Sequence, residues 1–228
     1  MTFRLGDTEE VQAPVATGSQ TATSVGSAVN AAGTALRGKL AQVAGVPVER
    51  LDLRGDRVKA LFKKGEPFME AEANSKPGDE QDRYSMYAFG ANFTEVRVDG
   101  SLGRIKVSQM LGVYGAGRIL NARTGRSQFL GGMVWWIGLA LYEQGVMDAR
   151  LGRFVNHNLA EYYIPANADI PEIEAVWVDE IDTHVNPLGI KGIGEIGITG
   201  SAASVANAVF HATGKRVRDY PITLNQLL

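Results

Sequence analysis

The most regular feature of the chain is an apolar position recurring every three or four residues through Val25, Val29, Ala32, Leu36, Leu40 and Val43. That spacing draws one face of a helix, which Gly45 and Pro47 end. Its first turn is built from Thr21, Ala22, Thr23, Ser24, Gly26 and Ser27. Small residues and hydroxyls there either cap a close-packed helix or leave its amides open to an oxyanion, and both readings stand. From Phe93 the period changes to two, with Phe93, Glu95 and Arg97 on one side and Thr94, Val96 and Val98 on the other. A turn at Asp99-Gly100 and a second run from Arg104 to Val113 complete a hairpin, and Gly112 to Gly117 forms the next turn.

Ser127 to Glu143 is apolar on nearly every side, so it predicts a helix buried on nearly every face. Gly131, Gly132 and Gly138 lie within it, each costing about 1 kcal/mol against alanine in a helix. Such glycines are expected where another backbone or a ligand comes close. An extended stretch, Glu174 to Asp179, follows a polar connection containing Pro165 and Pro171. Thr199 to Thr213 reads as a helix of small residues capped by Gly214. Residues 63–84, polar and interrupted by prolines, read as a surface loop. With no repeat, no low-complexity tract and no linker composition, the chain reads as undivided.

Composition narrows the chemistry. The 228 residues are 45% hydrophobic and 21% charged, enough for a substantial core. A net charge of -2 supplies no cationic field for nucleic acid or anionic lipid, so neither is an expected partner. The apolar run from Phe129 to Tyr142 falls short of the roughly 20 residues that span a bilayer. The opening MTFRLGDTEE has no apolar leader, which makes the cytoplasm the expected compartment, with the periplasm reached only alongside a partner. There is no cysteine, which excludes disulfides, thiolate metal sites and cysteine-held iron-sulfur clusters on this chain. Redox chemistry here requires a bound cofactor.

Gly192, Gly194 and Gly197 match G-x-G-x-x-G ahead of a helix, but a proline-containing stretch precedes them instead of a buried strand. A carboxylate inside the loop would also repel a pyrophosphate. The glycines make better sense as the frame for Glu195. Flanked by Ile193 and Ile196, it is either a carboxylate held in apolar surroundings and tuned for general-base work, or a loop glutamate that caps the next helix. Asp179, Glu180, Asp182 and His184 are hard-metal ligand types whose spacing matches no metal motif, so a solvated acidic loop is expected. His157 and His211 carry no hydrolase pattern, and G-x-S-x-G is absent.

Four ordered segments then carry a resemblance. They are FRLGDT with GSQTATSVGSAV, VRVDGSLGRIKVSQMLGVYGAGRILN, RSQFLGGMVWWIGLALYE, and KGIGEIGITGSAASVANAVFHATGKRVRDYPITL. Together they resemble the molybdenum-binding large subunit of the xanthine dehydrogenase and aldehyde oxidase family over nearly the whole chain. The resemblance implies an α+β fold, the C-terminal molybdopterin-binding domain of molybdenum hydroxylases with mixed sheets packed with helices, and an oxidoreductase that binds molybdopterin with molybdenum, in its plain or cytosine dinucleotide form. Such an enzyme hydroxylates an aldehyde or N-heterocycle carbon with oxygen from water. It implies that Glu195 is the base that deprotonates the attacking oxygen as hydride leaves the carbon. Gln20, Thr21, Ala22, Thr23, Ser24, Gln128 and Gly192 become cofactor-contacting positions, with Thr23 nearest the metal though not a side-chain ligand. The glutamine at position 128 is expected at the start of the glycine-rich helix. Iron-sulfur and flavin centres are implied on partner chains.

The family's large subunit is much longer, and its N-terminal half, with the stretch expected before Phe3, has no counterpart here. Residues 1–228 are therefore expected to be the C-terminal portion, a fragment or one piece of a split subunit, unable to hold the cofactor stably alone. The alternative is a truncated, non-catalytic chain that binds partner subunits without cofactor.

Overall fold

A computed structural model describes residues 4, 6–54 and 69–227. The chain divides into two compact units, although no linker composition marks the crossings. One comprises Met1–Met86 with Asp182–Ile190, and the other Tyr87–Ile181 with Lys191–Leu228.

In the first unit, helix α1 spans Thr21–Ala44 and ends at Gly45, whose left-handed φ of 65° lets its amide bond back to the Ala41 and Gln42 carbonyls. The predicted apolar stripe is only partly covered. Leu40 is buried, but Val29 and Val43 remain more than half exposed, because the helix carries more apolar surface than its own unit covers. Where it is covered, Gly26 faces Leu188 and Ile190, leaving just enough room for a methyl group. Asn186 folds that returning segment by accepting from the Leu188 and Ile190 amides and donating to the Ile190 carbonyl. Residues 63–68 of the expected loop lie outside the described residues; 69–84 are irregular, apart from a short 3-10 turn at Asp79–Asp82.

The second unit is built on the sheet β1 (Phe89–Val98), β2 (Ile105–Gly115) and β5 (Glu172–Trp177), in the order β1-β2-β5. The predicted hairpin is present, with Phe93 opposite Leu111 and a bulge between Glu95 and Val96. Asp99 closes it by accepting from the Ser101 and Leu102 amides, bonds that hold its carboxyl below the usual range. Strand β5 pairs parallel to β2, which demands a long crossover. Helix α2 (Ala122–Leu141) and a small hairpin of β3 (Met147–Asp148) and β4 (Arg153–Phe154) occupy it. Helix α3 (Ser201–Thr213) ends at Gly214 as predicted.

Helices α2 and α3 cover one face of the sheet. The core between them joins Met110 and Tyr114 of β2 to Phe129, Met133 and Ile137 of α2 and Val205 and Val209 of α3. The Tyr114 and Phe129 rings stack with centroids 4.6 Å apart. Burial pushes the Tyr114 phenol up to about 12.

Two expectations for α2 need correction. It begins at Ala122, not Ser127, because the Asn121 side chain accepts from the Arg123 and Thr124 amides and caps it earlier. Nor is it buried all round. Gly125, Phe129, Gly132, Met133, Ile137 and Ala140 form one buried face, while Trp135 is 61% exposed. No helix among the described residues is long and apolar enough to cross a membrane.

Candidate functional site

Glu195 sits in the turn between Lys191 and α3, and the surrounding glycines fix where that turn lies. A Cβ on Gly132 of α2 would come within 2.8 Å of the Gly197 carbonyl carbon and the Ile198 nitrogen. A Cβ on Gly197 would sit 2.5 Å from the Phe129 carbonyl oxygen. Two backbones thus meet where neither tolerates a side chain, the close approach expected of the α2 glycines. Only Gly132 performs it. Gly131 has open space around it, and Gly138 faces the Glu143 carboxylate.

Hydrogen bonds hold the same turn from its other sides. The Ile198 amide donates to the Glu195 carbonyl at 3.0 Å. The buried Ser201 hydroxyl donates to the Gly197 carbonyl at 2.8 Å. From the sheet, the Tyr114 hydroxyl donates to Asn92 Oδ1 at 3.0 Å, and Asn92 Nδ2 donates to the Thr199 carbonyl at 2.9 Å. The Thr94 and Ser204 hydroxyls share a 2.6 Å bond beside it. Sequence reading missed this relay, because its members lie on strand and loop with no shared motif. An asparagine among the β-formers of β1 was its one visible sign.

Ile193 and Ile196 pack against the core, while Glu195 between them is exposed. Of the two settings open to Glu195, apolar burial is not the one present: the isoleucines take the inward directions and leave the carboxylate facing out. What anchors the turn upstream is an ion pair. Lys191 Nζ lies 2.8 Å from Glu180 Oε1, with side-chain exposures of 6% and 29%. Glu180 Oε2 also accepts from the Gly117 amide at 3.0 Å.

That pairing corrects the view of Glu180 as part of a solvated acidic loop. The other members of the group have separate roles. Asp182 accepts from the His184 and Val185 amides, and His184 stacks on Tyr84 and pairs with Glu80 at 3.2 Å. No cluster able to hold a metal ion occurs among the described residues.

The first unit carries the predicted positions at the start of α1. Gly18 and Ser19 both adopt left-handed φ, 58° and 59°, immediately before α1. Ser19 is the one non-glycine residue to do so among the described residues, and such backbone strain concentrates at functional sites. The turn delivers Gln20, Thr21 and Ala22 to the surface at the helix start. The Gln20 side chain at the N-cap makes no capping bond, and no acidic residue lies in the first turn. The Thr23 hydroxyl turns back to donate to the Gln20 carbonyl at 2.7 Å. First-turn amides have no acceptor within a helix, so this end presents donors in a field that favours negative charge.

Gln128 is exposed in the second turn of α2, not at the helix start, because Asn121 begins the helix earlier. Gly192 is half-buried in the segment after Lys191.

The chain matches the family model described as a molybdopterin cofactor-binding domain over residues 1–171. It is 47% identical over 158 residues to the aldehyde oxidoreductase molybdenum-binding subunit PaoC of Escherichia coli, covering 69% of this chain and 22% of that one. It is 37% identical over 140 residues to a putative xanthine dehydrogenase molybdenum-binding subunit, XdhA, of the same organism, covering 61% and 18%. The chain thus spans about a fifth of the length of these relatives. Among solved structures, quinoline 2-oxidoreductase from Pseudomonas putida superposes with a TM-score of 0.77 at 23% identity, covering 92% of this chain and 30% of that one; this likeness concerns fold alone. Aldehyde oxidoreductase from Desulfovibrio gigas superposes with a TM-score of 0.55 at 28% identity, over 61% and 15%.

Proposed function

The chain belongs to the molybdopterin cofactor-binding domain family of xanthine dehydrogenase and aldehyde oxidoreductase type molybdenum proteins, and from that premise we propose that it is the base-bearing part of a molybdenum hydroxylase. Its substrate class is an aldehyde or N-heterocycle, hydroxylated at carbon with oxygen from water. The observation that carries the reading is the rigid turn presenting Glu195, locked to α2 through Gly132 and Gly197.

The residues present fit the cofactor. The start of α1 offers small side chains, donor amides and no carboxylate to an anionic, oxygen-rich group. Gln20, Thr21, Ala22, Thr23 and Ser24 would contact it, with Thr23 nearest the metal, and Gln128 and Gly192 would complete the contacts. Bound there, molybdopterin, in its plain or cytosine dinucleotide form, supplies the two-electron redox chemistry.

The chain's own contribution is positional. Glu195 accepts a proton on its carboxylate from the oxygen nucleophile, and a fixed backbone keeps that carboxylate in place without reorganising. Lys191 and Glu180 hold the approach to the turn, while Asn92, Thr94 and Ser201 hold its exit. Because the sequence has no cysteine to ligate iron-sulfur clusters, electrons leave through iron-sulfur and flavin centres on partner chains.

Co-expression of the full chain with the N-terminal remainder of a relative, in a molybdopterin-producing host, tests this reading. Molybdenum by elemental analysis and the pterin's fluorescent oxidation product are expected in the purified assembly. Glu195→Gln should keep both and lose at least a hundredfold in substrate-dependent dye reduction, within the range for removing a general base. Absence of molybdenum overturns the cofactor reading, and unchanged turnover overturns Glu195 as base. The exposed apolar faces of α1 support the second reading, a partner-binding chain without cofactor. Partner co-purification without pterin would establish it.

A further inference from the structure

Gly90, Asn92, Gly112 and Tyr114 form a square on the helix-covered face of the sheet, with Gly90 opposite Tyr114 and Asn92 opposite Gly112. Side chains in a strand ordinarily stand away from the sheet, but the Tyr114 ring reclines across it. A Cβ on Gly90 would come within 2.6 Å of Tyr114 Cδ1, and one on Gly112 would overlap the Tyr114 hydroxyl. The two glycines thus make a slot for the ring, the kind of close approach that glycine inside a strand marks. Phe129 closes the slot, its ring centroid 4.6 Å from that of Tyr114. So held, the ring carries its hydroxyl along the sheet to Asn92 Oδ1, 3.0 Å away.

The directions of the bonds follow from what each atom can do. A carbonyl oxygen only accepts, so Asn92 must turn Nδ2 toward Thr199, at 2.9 Å. Its Oδ1 then faces Tyr114, and because an amide oxygen also only accepts, the hydroxyl must donate. Burial keeps the phenol in that neutral, donating form by pushing it up to about 12. The peptide at the end of the relay needs such a hold. Gly200 has a left-handed φ of 84°, and a Cβ there would lie 3.3 Å from Asn92 Nδ2. Glycine takes either sign of φ at little cost, so the Thr199–Gly200 peptide plane has two accessible orientations, and the Asn92 bond selects one. The ring that aligns Asn92 also stacks on Phe129, whose carbonyl oxygen faces Gly197. We propose that Tyr114 and Asn92 are positioning residues for Glu195: the Tyr114 hydroxyl aligns the Asn92 amide, which fixes the Thr199 carbonyl and with it the turn that carries the carboxylate. The proposal rests on the reading of Glu195 as base and names what sets its position.

Kinetics of the co-expressed, molybdenum-loaded assembly and amide exchange of the full chain test it together. Tyr114→Phe keeps the stacked ring and loses only the hydroxyl. It should lower kcat about tenfold and leave KM within about twofold, the pattern of a group misplaced in the transition state. Asn92→Ala should lower kcat at least as much. Because Tyr114 acts through Asn92, adding Tyr114→Phe to Asn92→Ala should change kcat by less than about twofold, whereas independent supports of the fold would multiply. In the full chain without cofactor, the Ile198 amide donates to the Glu195 carbonyl at 3.0 Å. It should exchange about tenfold faster in either single variant, with the amides of α2 changing by less than about threefold. Wild-type kcat in both single variants, multiplicative losses, or equal acceleration across α2 and the turn overturns the proposal. Glu195→Gln in the same assembly separates the failures. If it loses turnover while Tyr114→Phe and Asn92→Ala keep theirs, the positioning role alone falls; if it keeps turnover, the base falls and the positioning role with it.

Discussion

Removing either member of the Lys191–Glu180 pair takes this contact from the other, and the two losses should differ in size. The ammonium is 6% exposed and the carboxylate 29%. Glu180→Leu takes the carboxylate from the drier group, and breaking a buried pair costs about 3–5 kcal/mol. Lys191→Met leaves a carboxylate that still accepts from the Gly117 amide and reaches water, so the loss falls to about 2–3 kcal/mol, that of a charged hydrogen bond. With both replaced by apolar side chains neither charge has to be desolvated. The double variant should then cost less than the sum by about 2 kcal/mol. Urea unfolding followed by tryptophan fluorescence measures all three, with slopes unchanged if the unfolded states are alike. Because the pair lies four positions before Glu195, amide exchange from Gly192 to Ile198 should accelerate in either single variant. Additive losses, or a larger loss in Lys191→Met than in Glu180→Leu, would refute the assignment of the pair as the anchor of the turn.

The glycine contact gives a paired test. Gly132→Ala should destabilise by at least about 3 kcal/mol, the upper range for overpacking, because its Cβ meets backbone at 2.8 Å. Gly131→Ala, with nothing within 4 Å, should stabilise by about 0.5–1 kcal/mol through helix propensity alone; both read out in urea midpoints, and equal effects would sink the contact. Tyr114 gives a pH test, since its phenol is pushed from 10.0 to about 12. The raised value favours the neutral form in the folded state, so its stabilisation is complete below pH 10 and lost as pH rises toward 12. A two-unit difference is worth about 3 kcal/mol. Tyr114→Phe, less stable at neutral pH for want of its bond to Asn92, should lose that much less than the wild type between pH 9 and 12. Parallel urea-midpoint curves for the two proteins would contradict it.

Elements whose signals are local were legible in the sequence. The β1-β2 hairpin follows from strict alternation closed by Asp99, and α3 from its small-residue run ending at Gly214. What was not legible depended on what covers a surface. Periodicity records that Val29 and Val43 can be buried, not that chain lies over them, and both are exposed. Continuous apolarity in α2 likewise concealed which side faces the core; the burial of Phe129, Met133 and Ile137 and the exposure of Trp135 reveal a one-sided helix. The Glu180–Lys191 pair escaped notice because residues 182–190 separate its members and belong to the other compact unit. The setting of Glu195 stayed open, since a motif fixes neighbours in sequence and not which of Ile193, Glu195 and Ile196 turns inward.

The glycines of α2 show most clearly where sequence reasoning stops. Gly131, Gly132 and Gly138 carry the same helix penalty and the same sequence signal, yet one faces open space, one faces backbone and one faces the Glu143 carboxylate. Residue type alone therefore states that a close approach is affordable, and only the partner decides whether it happens. At Gly132 the partner is Gly197, and it is their mutual lack of a side chain that sets the position of the turn bearing Glu195. A reactive carboxylate on a loop needs an outside constraint to hold its geometry, because loop backbones are the mobile part of a fold. Here that constraint comes from a helix packed against it, so enlarging Gly197 should disturb Glu195 as much as any substitution adjacent to the carboxylate itself.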